Sequence, residues 1–405
     1  MINVRFSKRI MGLFLAVCLV AGLPFTAFAG GIGDELAAAD TPAEETTADA
    51  GLEFTAKSAL LMDYTTGTIL FEKNSREVMP PASITKIMTL ILVMEALDAG
   101  KFQLTDMVTC SEYASGMGGS EIWLEAGEQM SVNDLLKAVA ISSANDAAVA
   151  LAELVAGSIE AFVTMMNDKA KALGMNDTSF KNASGLDAEG HLTTAYDIAL
   201  MSRELMKHEK IFEYTTIWMD TLRDGKTGLV NTNKLIRFYE GATGLKTGTT
   251  DEAGSCISAT AKKGDMHLIA VIMGCENSTI RNSEAKKLLE YGFKNFTLYV
   301  PELDSLTITP VKVLHGIEPE IMPIVDKADA IIIKRGTEGS ITQQVTICED
   351  VAAPVEEGQV LGKIVLLING EEIGSYSLKA EKAVPKMTMG RAFGILFKTL
   401  IDMKM

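Results

Sequence analysis

The stretch Pro80-Pro81-Ala82-Ser83-Ile84-Thr85-Lys86 combines the start of a helix with a candidate nucleophile. The two prolines interrupt the preceding structure, and apolar residues then recur over 84–93 in the pattern of a buried helix. Ser83 is therefore predicted at the start of this helix, with Lys86 one turn later on the same face. Apolar surroundings disfavour a charged lysine, so a neutral amine that can accept the Ser83 proton is expected there.

Two further motifs follow in order, Ser143-Ala144-Asn145 and Lys246-Thr247-Gly248. The first lies where one helical pattern ends and another begins, on a turn whose polar side chains can face a cleft. The second leads into segments that alternate or run apolar like sheet strands, and Gly248 permits close backbone approach. The ordered set predicts the acylation site of a serine acyl-enzyme.

Each motif has a second copy elsewhere in the chain, so context must choose between them. The copies are Ser283-Glu284-Ala285-Lys286, Ser131-Val132-Asn133 and Lys226-Thr227-Gly228. The first opens an exposed segment and is predicted to be a helix cap. The second precedes an apolar run and is predicted to be an N-cap. The third follows the turn signal Asp224-Gly225 and predicts a hairpin.

These motifs, together with Asn182-Ala183-Ser184-Gly185-Leu186 and His191-Leu192-Thr193-Thr194-Ala195-Tyr196-Asp197, resemble those of D-alanyl-D-alanine carboxypeptidases. These are low-molecular-mass penicillin-binding proteins of the S-x-x-K serine peptidase family, and the resemblance covers roughly residues 51–382. It implies an α/β (α+β) fold of the penicillin-binding-protein and β-lactamase-like transpeptidase type, with an antiparallel sheet, a helical subdomain and a following small all-β sandwich domain. It also implies a hydrolase that removes the terminal D-alanine from peptidoglycan stem pentapeptides, is inhibited covalently by penicillins and uses no cofactor or metal.

The resemblance also assigns roles to individual residues. Ser83 would attack the substrate carbonyl, Lys86 would accept its proton, and Ser143 would relay a proton to the leaving D-alanine. The backbone N–H groups of Ser83 and Thr249 would form the oxyanion hole. For Arg281, a solvated charge beside a helix start is the alternative interpretation. The implied substrate-binding residues are Asn145, Lys246, Thr247, Gly248, Thr249 and Arg281.

Three alternative functions use the same motifs. A D,D-endopeptidase shares the acylation chemistry and differs in the room beyond the terminal residue. A class A β-lactamase needs a Glu with Asn four residues later, and no Glu between Asp146 and Leu245 has Asn at that spacing. A catalytically weak binding or scaffolding protein would lack the nucleophile or the base, and neither is missing here.

The two ends of the chain predict export and membrane contact. Residues 1–29 carry Arg5, Lys8 and Arg9, an apolar run and Ala27-Phe28-Ala29, which predicts a secretory signal peptide; a lipoprotein box ending at Cys18 is the alternative. Residues 30–52 read as an acidic, disordered linker. Residues 383–405 place apolar side chains along one helical face, which predicts an amphipathic helix on the outer surface of the cytoplasmic membrane.

The 405 residues are long enough for a catalytic domain, assigned to 53–299, and a smaller β-rich domain, assigned to 300–382. In the latter, Asn369-Gly370 predicts a hairpin turn. The predicted strands there include 306–309, 331–333, 341–347 and 363–368.

Charge and cysteine usage narrow the function further. The formal net charge is −16, and removing three positive residues with the signal peptide gives −16 − 3 = −19. Such an acidic chain without a basic stripe is not expected to bind nucleic acid, and the substrate carboxylate needs a local positive site. The remaining cysteines are expected to be mostly free and buried, although Cys256 and Cys275 could pair. The histidines show no metal-ligand spacing, which disfavours a zinc peptidase.

Overall fold

The computed structural model describes residues 52–303, 306–325 and 328–402. The expected signal peptide and the expected linker as far as residue 51 lie outside this range. Four cysteines are described, all of them free: Cys110, Cys256 and Cys275 are buried and Cys348 is exposed. The suggested pairing of Cys256 with Cys275 is therefore wrong.

Residues up to 299 form a central sheet, two small two-stranded sheets and a set of helices. The helices are α1 (Lys86–Asp98), α2 (Glu112–Ser115), α3 (Val132–Ser142), α4 (Asn145–Ala156), α5 (Ile159–Ala172), α6 (Ala195–Leu205), α7 (Phe212–Thr215), α8 (Leu235–Phe238) and α9 (Ser278–Asn295). The strands are β1 (Ser58–Asp63), β2 (Ile69–Lys73), β3 (Met107–Thr109), β4 (Gln129–Ser131), β5 (Met219–Leu222), β6 (Thr227–Val230), β7 (Ala242–Thr250), β8 (Gly254–Lys263), β9 (Met266–Cys275) and β10 (Phe296–Tyr299).

The central sheet has five antiparallel strands in the order β2-β1-β9-β8-β7. One face packs against α9 through Ala285, Leu288 and Leu289, and the other packs against the helical layer. Because both faces are covered, β8 and β9 are buried along most of their length. The strand β7, at the edge of this sheet, carries Lys246-Thr247-Gly248.

The helix α1 lies inside the molecule rather than on its surface. Ten of its 13 residues are buried, which explains why its apolar residues occur all round the helix and not on one stripe. A short 3-10 turn, Ala82–Thr85, leads directly into it. The helix therefore places Ser83 and Lys86 at the boundary between the sheet and the helical layer.

The second motif lies on the predicted turn between two helices. The side chain of Ser131 caps α3 by accepting a hydrogen bond from the Asp134 N–H at 3.1 Å, as the sequence predicted. The helix ends at Ser143, whose φ of 62° is left-handed, and α4 begins at Asn145. The second copy of the third motif, Lys226-Thr227-Gly228, starts β6 of a hairpin with β5, again as predicted.

The predicted role of Ser283 as a helix cap is wrong. The helix α9 starts at Ser278, and its N-cap is Asn277, whose side-chain oxygen accepts from the N–H groups of Thr279 and Ile280 at 3.0 Å. Ser283 therefore lies inside the helix, because a better capping side chain occurs six residues earlier.

The C-terminal part is built from short sheets around two small apolar cores. Its strands are β11 (Val311–Leu314), β12 (Glu320–Ile321), β13 (Pro323–Val325), β14 (Ile331–Lys334), β15 (Ile341–Ile347), β16 (Asp350–Ala352), β17 (Val360–Ile368) and β18 (Glu371–Ala380). The predicted hairpin at Asn369-Gly370 joins β17 to β18. The strand predicted at 306–309 is absent, because Leu306 and Ile308 pack on the core without joining a sheet.

The last described element is the helix α10 (Met389–Asp402). None of the described helices is by itself both long and apolar enough to cross a bilayer. The pair α4 and α5, which meet at 84°, is together long and apolar enough to do so, but both helices supply core residues.

Candidate active site

The turn that carries Ser83 is tightly packed against β7. Ala82 has a left-handed φ of 48°, and its carbonyl accepts a hydrogen bond from the Thr85 hydroxyl at 2.8 Å. A Cβ at Gly248 would lie 2.9 Å from the Ser83 backbone nitrogen. Glycine at this position therefore allows the Lys-Thr-Gly strand to approach the backbone of the nucleophile turn.

The amine of Lys86 lies between three acceptors. Its Nζ is 3.1 Å from Ser83 Oγ, 2.5 Å from Asn145 Oδ1 and 2.6 Å from the Ser184 carbonyl oxygen. The Lys86 side chain is fully buried. Asn145 Oδ1 and the Ser184 carbonyl can only accept hydrogen bonds.

This arrangement directs the lone pair of a neutral Lys86 toward Ser83. A neutral amine has two N–H groups, which Asn145 and Ser184 occupy, so the remaining position faces the Ser83 hydroxyl. Burial lowers the pKa of Lys86 well below its usual value, the charge of Lys246 lowers it further, and Asp146 opposes both. The geometry and the charges together favour a neutral lysine that accepts the Ser83 proton.

The amide of Asn145 is held in one orientation by the loop before it. Its Nδ2 donates to the Gly118 carbonyl at 2.8 Å, which turns Oδ1 toward Lys86, and its backbone N–H donates to the Ser120 carbonyl. The buried carboxylate of Asp146 accepts from the backbone N–H groups of Ile122 and Leu124. The loop and the start of α4 therefore form one unit that orients Asn145.

Ser143 lies beside this unit, and its left-handed backbone places it at the junction of α3 and α4. Its residue exposure is 4 %. Within the described chain its hydroxyl makes no side-chain hydrogen bond to protein. The hydroxyl is therefore available to contact a substrate.

Two buried basic side chains lie near the site, since the Lys246 charge acts on Lys86 and the Arg281 charge acts on Lys246. Lys246 and Arg281 are 1 % and 4 % exposed. Burial lowers the pKa of Lys246 to about 7, and the Arg281 charge adds to the effect. Arg281 belongs to α9 and donates a hydrogen bond to the Asn282 side chain at 3.1 Å. Because Arg281 is buried, the solvated-charge alternative is wrong.

The hydroxyls of Thr247 and Thr249 on β7 have partners within the protein. Thr247 Oγ1 donates to Thr232 Oγ1 at 2.8 Å, and Thr249 Oγ1 donates to the Gly248 carbonyl at 2.8 Å. Their oxygen lone pairs remain acceptors, and the hydroxyl hydrogens can rotate toward a carboxylate when one binds. Thr247 is buried and Thr249 is exposed.

The sequence interpretation missed several residues that hold the site together. Ser184, Gly118 and Ser120 act through backbone carbonyls, and Thr232 pairs with Thr247. The segment 182–186 is part of a sequence motif, but the carbonyl that contacts Lys86 leaves no signal in side-chain identity. Within the described residues, no group of three or more His, Cys, Asp or Glu side chains could hold a metal ion.

Replacing Gly185 by alanine is expected to disrupt the site. Gly185 has a φ of 86°, and a Cβ there would lie 1.9 Å from the Ala82 carbonyl oxygen, so the nucleophile turn must move. We expect a loss of about 3 kcal/mol or more in unfolding free energy, measured in urea, and loss of labelling by a fluorescent penicillin.

The matched control is Gly174→Ala, since Gly174 has a φ of 75° and open space around its Cβ position. That variant should cost only about 1 kcal/mol and keep full labelling. Equal effects of the two substitutions would show that backbone strain alone matters and that the contact with Ala82 does not.

The pH profile of the enzyme should report Lys246. If its ammonium binds the substrate carboxylate, kcat/KM should fall as pH rises through about 7, where the free Lys246 loses its proton. Arginine stays charged throughout this range, so Lys246→Arg should remove the alkaline decline whatever its overall rate.

The control for this profile is Lys226→Arg, in the second Lys-Thr-Gly copy on the exposed hairpin. It should keep the wild-type decline. An unchanged alkaline limb in Lys246→Arg would mean that another group causes it.

The paired serine and lysine, the oriented asparagine and the two buried cations define a serine acyl-transfer enzyme of the S-x-x-K class. Comparison with known proteins identifies the family within this class. The model of the D-alanyl-D-alanine carboxypeptidase family matches residues 43–277, and that of the penicillin-binding protein 5 C-terminal domain matches residues 304–386. The chain belongs to the D-alanyl-D-alanine carboxypeptidase family.

Individual relatives agree with this assignment. The chain is 44 % identical over 335 residues to D-alanyl-D-alanine carboxypeptidase DacF of Bacillus subtilis, covering 82 % of this chain and 86 % of the relative. Penicillin-binding protein 5 from Haemophilus influenzae superposes with a TM-score of 0.76 at 32 % identity, over 83 % of this chain and 99 % of that one. Penicillin-binding protein D2 from Listeria monocytogenes in its cefotaxime-bound form gives 0.53 at 35 %, over 60 % and 99 %.

The resemblance and the fold class predicted from the sequence are therefore confirmed. The protein is a serine-type D-Ala-D-Ala carboxypeptidase, a hydrolase with the penicillin-binding fold.

Proposed function

We propose that this protein removes the terminal D-alanine from peptidoglycan stem pentapeptides through an acyl-enzyme on Ser83. One observation carries the proposal, the Lys86 amine fixed between Ser83 Oγ, Asn145 Oδ1 and the Ser184 carbonyl. With its two N–H groups committed, a neutral Lys86 has only its lone pair to offer the serine hydroxyl. A serine without a histidine base needs this arrangement to become a nucleophile.

The proposed reaction has two steps. Ser83 Oγ attacks the carbonyl carbon of the penultimate D-alanine while its proton passes to Lys86 Nζ. The C–N bond then breaks, the leaving D-alanine takes up a proton through the Ser143 hydroxyl, and an ester on Ser83 remains. Water hydrolyses this ester and restores the serine hydroxyl.

The substrate carboxylate is proposed to bind beside β7. The buried Lys246 and Arg281 supply positive charge there, although the whole chain has a formal charge of −16. The local site therefore has to attract the carboxylate against the field of the whole protein. Thr247 and Thr249 add hydroxyl groups, and the backbone N–H groups of Ser83 and Thr249 are proposed to stabilise the oxyanion.

Placing the carboxylate at Lys246 also fixes the direction of the substrate. The leaving D-alanine then lies toward Lys246, and the acyl chain lies on the far side of Ser83 from it. A β-lactam carries a carboxylate and a strained amide in a similar relation, so penicillins are proposed to acylate Ser83 and block it. The likeness to the cefotaxime-bound protein from Listeria monocytogenes supports this proposal.

The function is tested by incubating residues 30–405 with diacetyl-Lys-D-Ala-D-Ala and measuring free D-alanine, beside labelling with a fluorescent penicillin. We expect catalytic release of one D-alanine per peptide and one label per chain. Labelling without release would contradict the carboxypeptidase activity and favour an endopeptidase, to be tested on a cross-linked dimer. Rapid loss of the label with penicillin turnover would instead indicate a β-lactamase.

We further propose that the protein is exported and lies on the outer face of the cytoplasmic membrane through α10. Three apolar side chains of this helix, Met389, Phe393 and Phe397, are 92 %, 73 % and 62 % exposed. Lys386 and Arg391 next to them are exposed and positively charged. Exposed apolar area beside basic residues favours binding to an anionic lipid surface.

Vesicle flotation tests this second proposal. The protein should float with vesicles containing anionic phosphatidylglycerol and less with purely zwitterionic ones, and the double substitution Phe393→Ser and Phe397→Ser should abolish flotation. The control is Val360→Ser, since Val360 is an equally exposed apolar residue of β17. Flotation that survives the double substitution would overturn membrane binding by α10.

A further inference from the structure

His191 is a buried histidine close to the nucleophile turn for which the proposed reaction has no use. The residue is 3 % exposed. Its Nε2 lies 2.7 Å from Thr85 Oγ1, and its Nδ1 accepts a hydrogen bond from the Lys181 backbone N–H at 3.0 Å. Thr85 lies between Ser83 and Lys86 in the sequence, so the histidine contacts the catalytic turn from outside.

The hydrogen bonds around the ring have a fixed direction. A backbone N–H only donates, so His191 Nδ1 must be the unprotonated nitrogen and Nε2 carries the hydrogen. Nε2–H then donates to Thr85 Oγ1, and the Thr85 hydroxyl donates to the Ala82 carbonyl at 2.8 Å. This series of hydrogen bonds runs from the Lys181 N–H through His191 and Thr85 to the Ala82 carbonyl, and it forms only when the histidine is neutral. We name it the His191 bridge.

The His191 bridge joins two segments that both contact Lys86. One is the turn Ala82–Thr85, which carries Ser83. The other is the loop 179–192, which provides the Ser184 carbonyl to Lys86 Nζ and is closed at its base by the pairing of Ser179 with Leu192. Within this loop Gly185 packs so close to the turn that a Cβ there would lie 1.9 Å from the Ala82 carbonyl oxygen. A shift of either segment therefore changes the surroundings of Lys86.

We propose that His191 is a positioning residue that holds the loop 179–192 against the nucleophile turn and so sets the distance between Lys86 and Ser83. This inference rests on the proposed function, because it concerns the acylation step on Ser83. The two segments are about 100 residues apart in sequence, as the Lys86–Ser184 separation of 98 shows. Small errors in such positioning cost about 10²-fold in rate.

Burial, helped by the Lys181 charge, keeps the ring neutral under ordinary conditions. Burial lowers the pKa of His191 to about 4, the Lys181 charge lowers it further, and the Asp187 charge raises it. The bridge is therefore intact above the ordinary histidine pKa of about 6.5 and is lost only as pH falls through about 4. A protonated ring would turn a second N–H toward the Lys181 N–H, which breaks the bridge.

Variants of the two bridge residues test the proposal. His191→Leu and Thr85→Val remove the hydrogen bonds, whereas His191→Gln keeps a donor and an acceptor and Thr85→Ser keeps the hydroxyl. The readouts for full-length protein are the second-order rate of penicillin labelling from pH 4 to 9, D-alanine release and the melting temperature.

We expect His191→Leu and Thr85→Val each to slow labelling by about 10²-fold and to shift the acid limb of its pH profile, which reports Lys86. His191→Gln and Thr85→Ser should restore both. The double variant that combines His191→Leu with Thr85→Val should be no worse than either single one, because both substitutions break the same bridge.

The control is His267→Gln, since His267 is also buried with a pKa of about 4 and a threonine partner, Thr243, at 2.8 Å. It should affect melting only. The proposal is overturned if His191→Leu labels at the wild-type rate, or lowers the melting temperature with an unchanged acid limb. A wild-type protein that labels but releases no D-alanine would instead contradict the proposed function, and the labelling rates would still test His191.

Discussion

Ser83→Ala should abolish penicillin labelling and reduce D-alanine release by about 10⁵- to 10⁶-fold, because it removes the oxygen that forms the acyl-enzyme. The substitution removes one oxygen from a partly buried position and leaves the turn intact, since its hydrogen bond runs from Thr85 to Ala82. The melting temperature should therefore change little. Labelling is measured with a fluorescent penicillin on denaturing gels and release with a D-amino acid oxidase assay.

The second S-x-x-K copy gives a matched control. Ser283 lies inside α9 and Lys286 pairs with Glu290 at 3.8 Å on an exposed face. Ser283→Ala should label and turn over at the wild-type rate. Labelling that persists in Ser83→Ala but disappears in Ser283→Ala would mean that the wrong serine has been assigned.

Lys86→Met should slow acylation by about 10³- to 10⁴-fold, the range expected when a general base is lost. Methionine has a similar length and suits a fully buried position, so the fold should persist. The measurement is the rate of penicillin labelling between pH 6 and 10. The wild-type acid limb should vanish in the variant, because the group that titrates there has been removed.

The pH dependence of labelling in Lys86→Met distinguishes a general-base role of Lys86 from a purely electrostatic one. Raising the pH should partly recover labelling in Lys86→Met relative to wild type at the same pH, since hydroxide can take over the proton. Lys286→Met, the matched substitution in α9, should keep the wild-type rate and profile. A Lys86→Met enzyme within tenfold of wild type at pH 7 would contradict the assignment of Lys86 as the base.

The choice between motif copies shows how much of the local structure the sequence predicts. The apolar residues around Ser83 predicted a buried helix, and α1 is one. The turn signal before Lys226 predicted a hairpin, and β5 and β6 form it. The prediction failed at Ser283, where the cap is Asn277, and at 306–309, where apolar residues pack without a ladder. A local sequence pattern does not show which of two nearby residues caps a helix, or whether a partner strand lies beside an apolar segment.

Arg281 illustrates a second limit. Its position near a helix start left two interpretations open, and only the packing of α9 on the sheet buries it near Lys246. The same packing lowers the pKa of Lys246 to about 7. Burial is a property of the assembled layers, so a charged residue in the sequence does not reveal it.

The sequence by itself determined the reactive groups and their order, because acyl transfer needs particular side chains and Ser83, Lys86, Ser143, Asn145 and Lys246 provide them. Tertiary structure alone decided how Lys86 is oriented. Two of the groups around it, Asn145 and the Ser184 carbonyl, lie 59 and 98 residues away along the chain, and the Gly118 carbonyl fixes the asparagine. Every residue has a backbone carbonyl, so the sequence does not show which carbonyls accept a hydrogen bond from a catalytic side chain. Only folding brings a particular carbonyl within about 3 Å of its partner.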